Sequence, residues 1–185
     1  LTVADPSAAT YAAIGADIGL AAQSTTQGVN ALALLNDSLG AQVATAVDLV
    51  SEINTLAATA NGVLVTAAGG SANPALTDAA FASLGITGVT AGNLADVLAA
   101  IAATSDSGAQ VNSLAALQAI VDTAVSRYNA LSTIVAYADS NAALSTAPSL
   151  ADFSLAGVSG VDNSNRLALA SALASTTITG SQVDT

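Results

Sequence analysis

The chain has 185 residues, roughly a quarter of them Ala, and carries 13 acidic side chains against 2 Arg and no Lys, a formal net charge of −11. That balance excludes nucleic acid as a partner, because phosphate binding needs clustered Lys and Arg, and it disfavours anionic membrane surfaces. With no His and no Cys, the commonest general bases, nucleophile activators and soft metal ligands are missing, and a disulfide framework is excluded.

Ala is the best helix former but buries little area, so the composition favours thin, closely packed helical bundles over one thick core. Taken in order, the chain reads as repeats. Repeat 1, residues 1–68, opens with a short helix over Ser7–Ile14 that ends at Gly15. A second helix is expected over Gly28–Leu35, then a loop containing Gly40 and a long helix with an apolar seam at Ala46, Leu49, Ile53, Leu56 and Ala60. The stretches "GVLVTAAGG" (62–70) and "SANPAL" (71–76) read as a linker with a short extended piece at Val63–Thr66.

Repeat 2, residues 72–146, has a short helix over Ala75–Leu84 ending at Gly85, a second over Ala91–Ala103, a loop at Gly108 and a long helix over Gln110–Asn141. In that last helix Leu114, Leu117, Val121, Ala124, Tyr128, Leu131, Val135 and Ala138 alternate spacings of three and four, which keeps them on one helical face. At 1.5 Å per residue it would span roughly 45 Å. After a linker over Asn141–Ser149, repeat 3, residues 147–185, repeats the short helix (Ser149–Ala156, ending at Gly157) and the second helix (Asn163–Ala174). It then stops where the long helix should begin, and with Leu rather than Met at position 1 the chain reads as an excerpt of a longer one.

The repeats rest on more than Ala. Residues 86–113 align without a gap to 158–185, matching Gly88 to Gly160, Val89 to Val161, Asn93 to Asn165 and Gly108 to Gly180, and Phe81 and Phe153 keep the same offset. Tyr11, Phe81 and Phe153 take equivalent places in the three short helices and are expected to anchor cores otherwise built of Ala. Thr90 and Asp162 are expected to cap the second helices.

Little in the sequence carries chemistry. No Ser-His or Ser-Lys arrangement can be built, Gly69–Gly70 lacks the Lys of a phosphate loop, and no enzymatic activity or cofactor is expected. "DNSN" (162–165) and "SDS" (105–107) are oxygen-rich, but one carboxylate each is too few for more than weak calcium binding, and a cap-and-loop role is favoured. Arg166, four residues after Asp162, is expected to pair with it along the helix, and Arg127 has no carboxylate at helical spacing. The mean hydropathy of +0.64 is high for a water-exposed chain. Even so, no run of about 18 apolar residues exists, so no membrane insertion is expected.

The phrase "FASLGITGVTAGNLADVLAAI" followed by "LQAIVDTAVSRYNAL" resembles the GA-like three-helix modules repeated in very large bacterial cell-surface and biofilm proteins of the adhesin type. The likeness is carried by Gly85, Ile86, Thr87, Gly88, Val89, Asn93, Leu94, Leu117, Ile120, Val121 and Asp122, and in part by Val158, Gly160, Val161 and Asn165. The resemblance implies an extracellular stalk, matrix or filament-forming role.

The expected fold is all-α: tandem three-helix bundle repeats of about 70 residues with a long third helix. The expected function is a non-enzymatic structural segment of a secreted bacterial surface adhesin, biofilm matrix fibre or sheath, with neighbouring repeats or copies of itself as partners. Repeat 3 would be completed by the continuing chain or, head-to-tail, by another copy, which generates filaments. The alternative is a ligand-binding module for a host protein or glycan. Candidate interface residues are Arg127, Leu131, Ile134, Val135, Tyr137 and Arg166, with Leu131, Ile134 and Val135 expected to contact repeat 3.

Overall fold

The computed structural model describes residues 4–41, 49–140 and 146–183. Its α-helices are α1 (Ala8–Ala13), α2 (Thr26–Ala41), α3 (Leu49–Ala67), α4 (Asp78–Leu84), α5 (Leu94–Ala102), α6 (Leu114–Ser140), α7 (Leu150–Leu155) and α8 (Arg166–Leu173). Short 3₁₀ turns lie at Gly19–Ala22 and Gly180–Gln182. Among the described residues the fold is all-α and multi-helical, with no strand. Contacts divide the chain into two compact bodies, residues 1–122 and 123–185. This division falls inside α6 and so differs from the sequence-repeat boundaries.

In the N-terminal body, α3 is the central element, packing against α2, the Gly19–Ala22 turn, α4 and α5. Of the expected seam, Ile53, Leu56 and Ala60 are buried, Leu49 in the first turn is exposed, and Ala46 falls outside the described residues. From Gly62 to Ala67 the burial spreads round the helix, taking in Gly62, Val63, Leu64, Thr66 and Ala67. A helix enclosed on several sides needs no polar stripe. That explains the main departure from expectation: Val63–Thr66 is neither extended nor linker, but the buried end of α3. The hydroxyls of Thr59 and Thr66 donate to the carbonyls of Thr55 (3.2 Å) and Gly62 (2.9 Å) one turn back, so burial leaves neither donor unmet. Gly40, expected in a loop, lies inside α2.

Asn61 ties α3 to the 3₁₀ turn. Its carboxamide accepts from Ala21 N and donates to Ile18 O, both at 3.1 Å. Truncation orphans two part-buried backbone groups, so Asn61→Ala is expected to cost about 2–3 kcal/mol, read as a lower urea midpoint at an unchanged slope.

One local design occurs three times. Ser7, Thr77 and Ser149 cap α1, α4 and α7 by accepting the backbone N–H three residues on. Four residues after each cap stands the buried aromatic, Tyr11, Phe81 or Phe153. Gly15, Gly85 and Gly157 then take left-handed φ of 80°, 94° and 89°, which a side chain would resist. The aromatic's carbonyl accepts the N–H of the residue after that Gly, from Ala16 (3.0 Å), Ile86 (3.0 Å) and Val158 (2.9 Å).

The following turn recurs twice. Asn93 accepts from Thr90 N (2.8 Å) and donates to Gly88 O (2.9 Å); Asn165 accepts from Asp162 N (2.9 Å) and donates to Gly160 O (2.8 Å). These two Asn, rather than Thr90 and Asp162, are the N-cap residues of α5 and α8, and both helices start three residues later than their sequences suggest. An Asn that bonds its own loop offers that loop an alternative to helix, which delays the start.

Candidate interaction surface

The C-terminal body is built on one apolar cluster. Ala130, Ile134 and Tyr137 of α6 pack with Phe153 of α7, with Ala156, and with Ala170 and Leu173 of α8, and Leu131 packs against them. Thus Leu131, Ile134 and Tyr137 are brought together with residues of repeat 3. The fully buried face is rotated relative to the expected seam. Leu117, Val121, Ala124 and, at the far end, Ala138 hold to it, but between them burial passes to Ala130, Ile134 and Tyr137, leaving Tyr128, Leu131 and Val135 half-buried, as is Leu114 at the start. The second half of α6 buries the side that meets Phe153, Ala156, Ala170 and Leu173, partners that helical spacing within α6 does not reveal. The Tyr137 phenol oxygen is buried and has no hydrogen-bond partner among the described residues.

Asp139 and Val135 meet the Gly180–Gln182 turn. The Asp139 carboxylate accepts from Gly180 N at 2.6 Å, and a Cβ on Gly180 would lie 2.6 Å from Val135 Cγ1. Nothing in the sequence around Asp139 marks it for this role, because the partner lies 41 residues on.

The two arginines do not share a site. Arg127 is exposed on α6. Arg166 is half-buried and donates from Nη1 to Pro148 O at 2.9 Å, in place of the expected pairing with the Asp162 carboxylate. A guanidinium held by a carbonyl ties the start of α8 to the segment entering α7.

Asp162 instead serves its own turn. Its Oδ1 accepts from Ser164 Oγ (2.5 Å), Ser164 N (2.7 Å) and Asn165 N (3.2 Å). The Ser164 hydroxyl first, and then the Ser164 N–H, hold the carboxyl below the usual Asp range. The depressed value means this contact favours the folded turn above the ordinary Asp pKa and is lost as pH falls through the depressed one. Ser164→Ala is therefore expected to move the Asp162 pKa up toward the ordinary value, measured by NMR titration of its carboxyl carbon. Burial, and then the Asp5 charge, raise the pKa of Tyr11, whose hydroxyl donates to Asn36 Oδ1 at 2.5 Å.

Among the described residues no three His, Cys, Asp or Glu side chains gather as a metal site, and no helix is long and apolar enough to cross a membrane. In the oxygen-rich 162–165 loop, the Asp162 and Asn165 side chains are turned to the loop's own backbone by these bonds. What the arrangement offers is packing and helix-to-loop tethering. No protein-family model, no curated protein and no solved structure matches the chain.

Proposed function

We propose that the chain is a non-enzymatic structural segment of a secreted bacterial surface protein, of the adhesin, biofilm-matrix or sheath kind, built from tandem three-helix repeats of about 70 residues. The observation that carries this reading is the threefold capped corner: cap, buried aromatic four residues on, left-handed Gly, and the carbonyl bond that closes the turn. A corner reproduced in backbone geometry as well as in sequence is the signature of a unit meant to be stacked.

In this reading each long helix serves two repeats. The end of α6 shares its core with α7 and α8, and α3 packs on both α2 and the α4 and α5 that follow it. Sharing helices resists separation of neighbours, so the protein works by bearing load rather than by reacting. The net charge of −11 keeps copies from clumping non-specifically. Antibody raised against the chain and applied to intact, unpermeabilised cells of the source organism tests the location; labelling that needs lysis overturns it.

A further inference from the structure

Asn61, Asn112 and Asn163 are each followed by Gly or Ser. In such a pair the next backbone nitrogen can reach the carboxamide carbon and close a succinimide ring. By chain chemistry alone Asn61–Gly62 closes fastest, because Gly has the most permissive backbone. The fold holds that pair shut. Asn61 accepts from Ala21 N and donates to Ile18 O, and Gly62 is buried inside α3, where its N–H belongs to the helix. Asn112 is half-buried and donates from Nδ2 to Asn30 Oδ1 at 3.0 Å.

Asn163 is placed differently. It is exposed in the turn before α8, and its carboxamide has no hydrogen-bond partner among the described residues. Its exposure belongs to the turn itself: Ala91, in the equivalent place of repeat 2, is exposed too, although Gln118 of α6 covers that corner through its two bonds to the Thr87 backbone. The nitrogen that would attack Asn163 already faces a proton acceptor, since Ser164 N donates to Asp162 Oδ1 at 2.7 Å. That carboxylate is ionised at neutral pH. The N–H lies in the peptide plane whereas attack on Cγ comes from its face, so the acceptor does not stand in the way. Arg166, the nearest cation in the sequence, is spent on Pro148 O and leaves Asp162 free to take a proton.

We propose that Asn163 is a site of self-modification, an intramolecular deamidation in which Asp162 accepts the proton. Ser164 N bonds to Asn163 Cγ as its proton passes to Asp162 Oδ1. The Cγ–Nδ2 bond then breaks, and Nδ2 leaves as ammonia with the proton that Asp162 held. Solvent water opens the succinimide at either carbonyl, giving aspartate or isoaspartate, with nothing oxidised or reduced. Either product adds a negative charge beside Asp162. Isoaspartate also lengthens the main chain by a methylene between Asp162 and Asn165, the two residues whose bonds shape the turn that starts α8. The position therefore records the age of the chain at a helix start.

The test is incubation of the full 185-residue chain at neutral pH over weeks, with peptide mass spectrometry resolving aspartate from isoaspartate at each Asn. In the folded chain Asn163 is expected to change first, with isoaspartate in excess. In concentrated urea the order is expected to reverse, with Asn61 leading. Asp162→Asn keeps an acceptor oxygen for Ser164 N but is a far weaker base, so modification of Asn163 is expected to slow by about tenfold or more. NMR shifts of α8 check that this variant keeps its turn, and the order of the three sites in the unaltered chain is a test whether it does or not. The proposal is overturned if Asn61 or Asn112 changes ahead of Asn163 in the folded chain, or if Asn163 yields aspartate without isoaspartate. An unchanged or faster rate in Asp162→Asn with α8 intact overturns it as well.

Discussion

Phe153→Ala is expected to unfold the C-terminal body. Phe153 is 2% exposed and belongs to the cluster that Ile134, Tyr137, Ala170 and Leu173 complete. Removing a buried Phe costs about 3–5 kcal/mol, the transfer of the ring plus the cavity left behind. Three of its neighbours, Ala130, Ala156 and Ala170, are already Ala and have no atoms to extend into that space. A body spanning residues 123–185 has a total stability of about 3–9 kcal/mol at the usual value per residue, so the loss takes most of what there is. Hydrogen exchange checks this: the amides of α7 and α8 should lose protection by about two orders of magnitude or more, while those of α2 and α3 keep theirs. Protection retained in α7 and α8 would mean the cluster is not what holds this body together.

The same cluster shows what can be read from the chain alone. Phe153 announces itself, being one of only two Phe and occupying the place that Tyr11 and Phe81 occupy in their own repeats. Gly15, Gly85 and Gly157 act over a single turn and are legible as helix ends, whereas the caps Ser7, Thr77 and Ser149 are not, since the helical pattern places the starts at Ser7, Ala75 and Ser149 themselves. Long-range choices are not legible in this way. Val63–Thr66 has the β-branched, unpatterned look of an extended segment, and only the elements packed around α3 make it helix. The Arg166–Pro148 and Asp139–Gly180 bonds depend on where separate segments meet, so helical spacing points to Asp162 for the first and to nothing for the second.

Gly28→Ala is expected to destabilise the N-terminal body by about 2–4 kcal/mol, against the sign that helix propensity predicts. In an exposed helix interior, exchanging Gly for Ala gains roughly 1 kcal/mol. Gly28 lies in the first turn of α2, buried, with its N–H donating to Thr25 Oγ1 at 3.1 Å. A Cβ there would stand 2.6 Å from Leu20 O and closer still to Gln23 O, both of them backbone atoms of the adjoining 3₁₀ segment. A flexible side chain could swing aside; two carbonyls cannot move without shifting the Gly19–Ala22 turn, where Asn61 already holds Ala21 N and the adjoining Ile18 O. Overpacking of this kind typically costs about 1–3 kcal/mol, and disturbing the Asn61 bonds adds to it. The check is a double-mutant cycle with Asn61→Ala, read by urea unfolding. If Gly28 is small because the turn is pinned against it, the two losses fall short of additive by about 0.5 kcal/mol or more, since releasing the turn relieves the clash. Full additivity, or a gain in stability from Gly28→Ala alone, would show that the turn yields freely and that Gly28 is not fixed by that close approach.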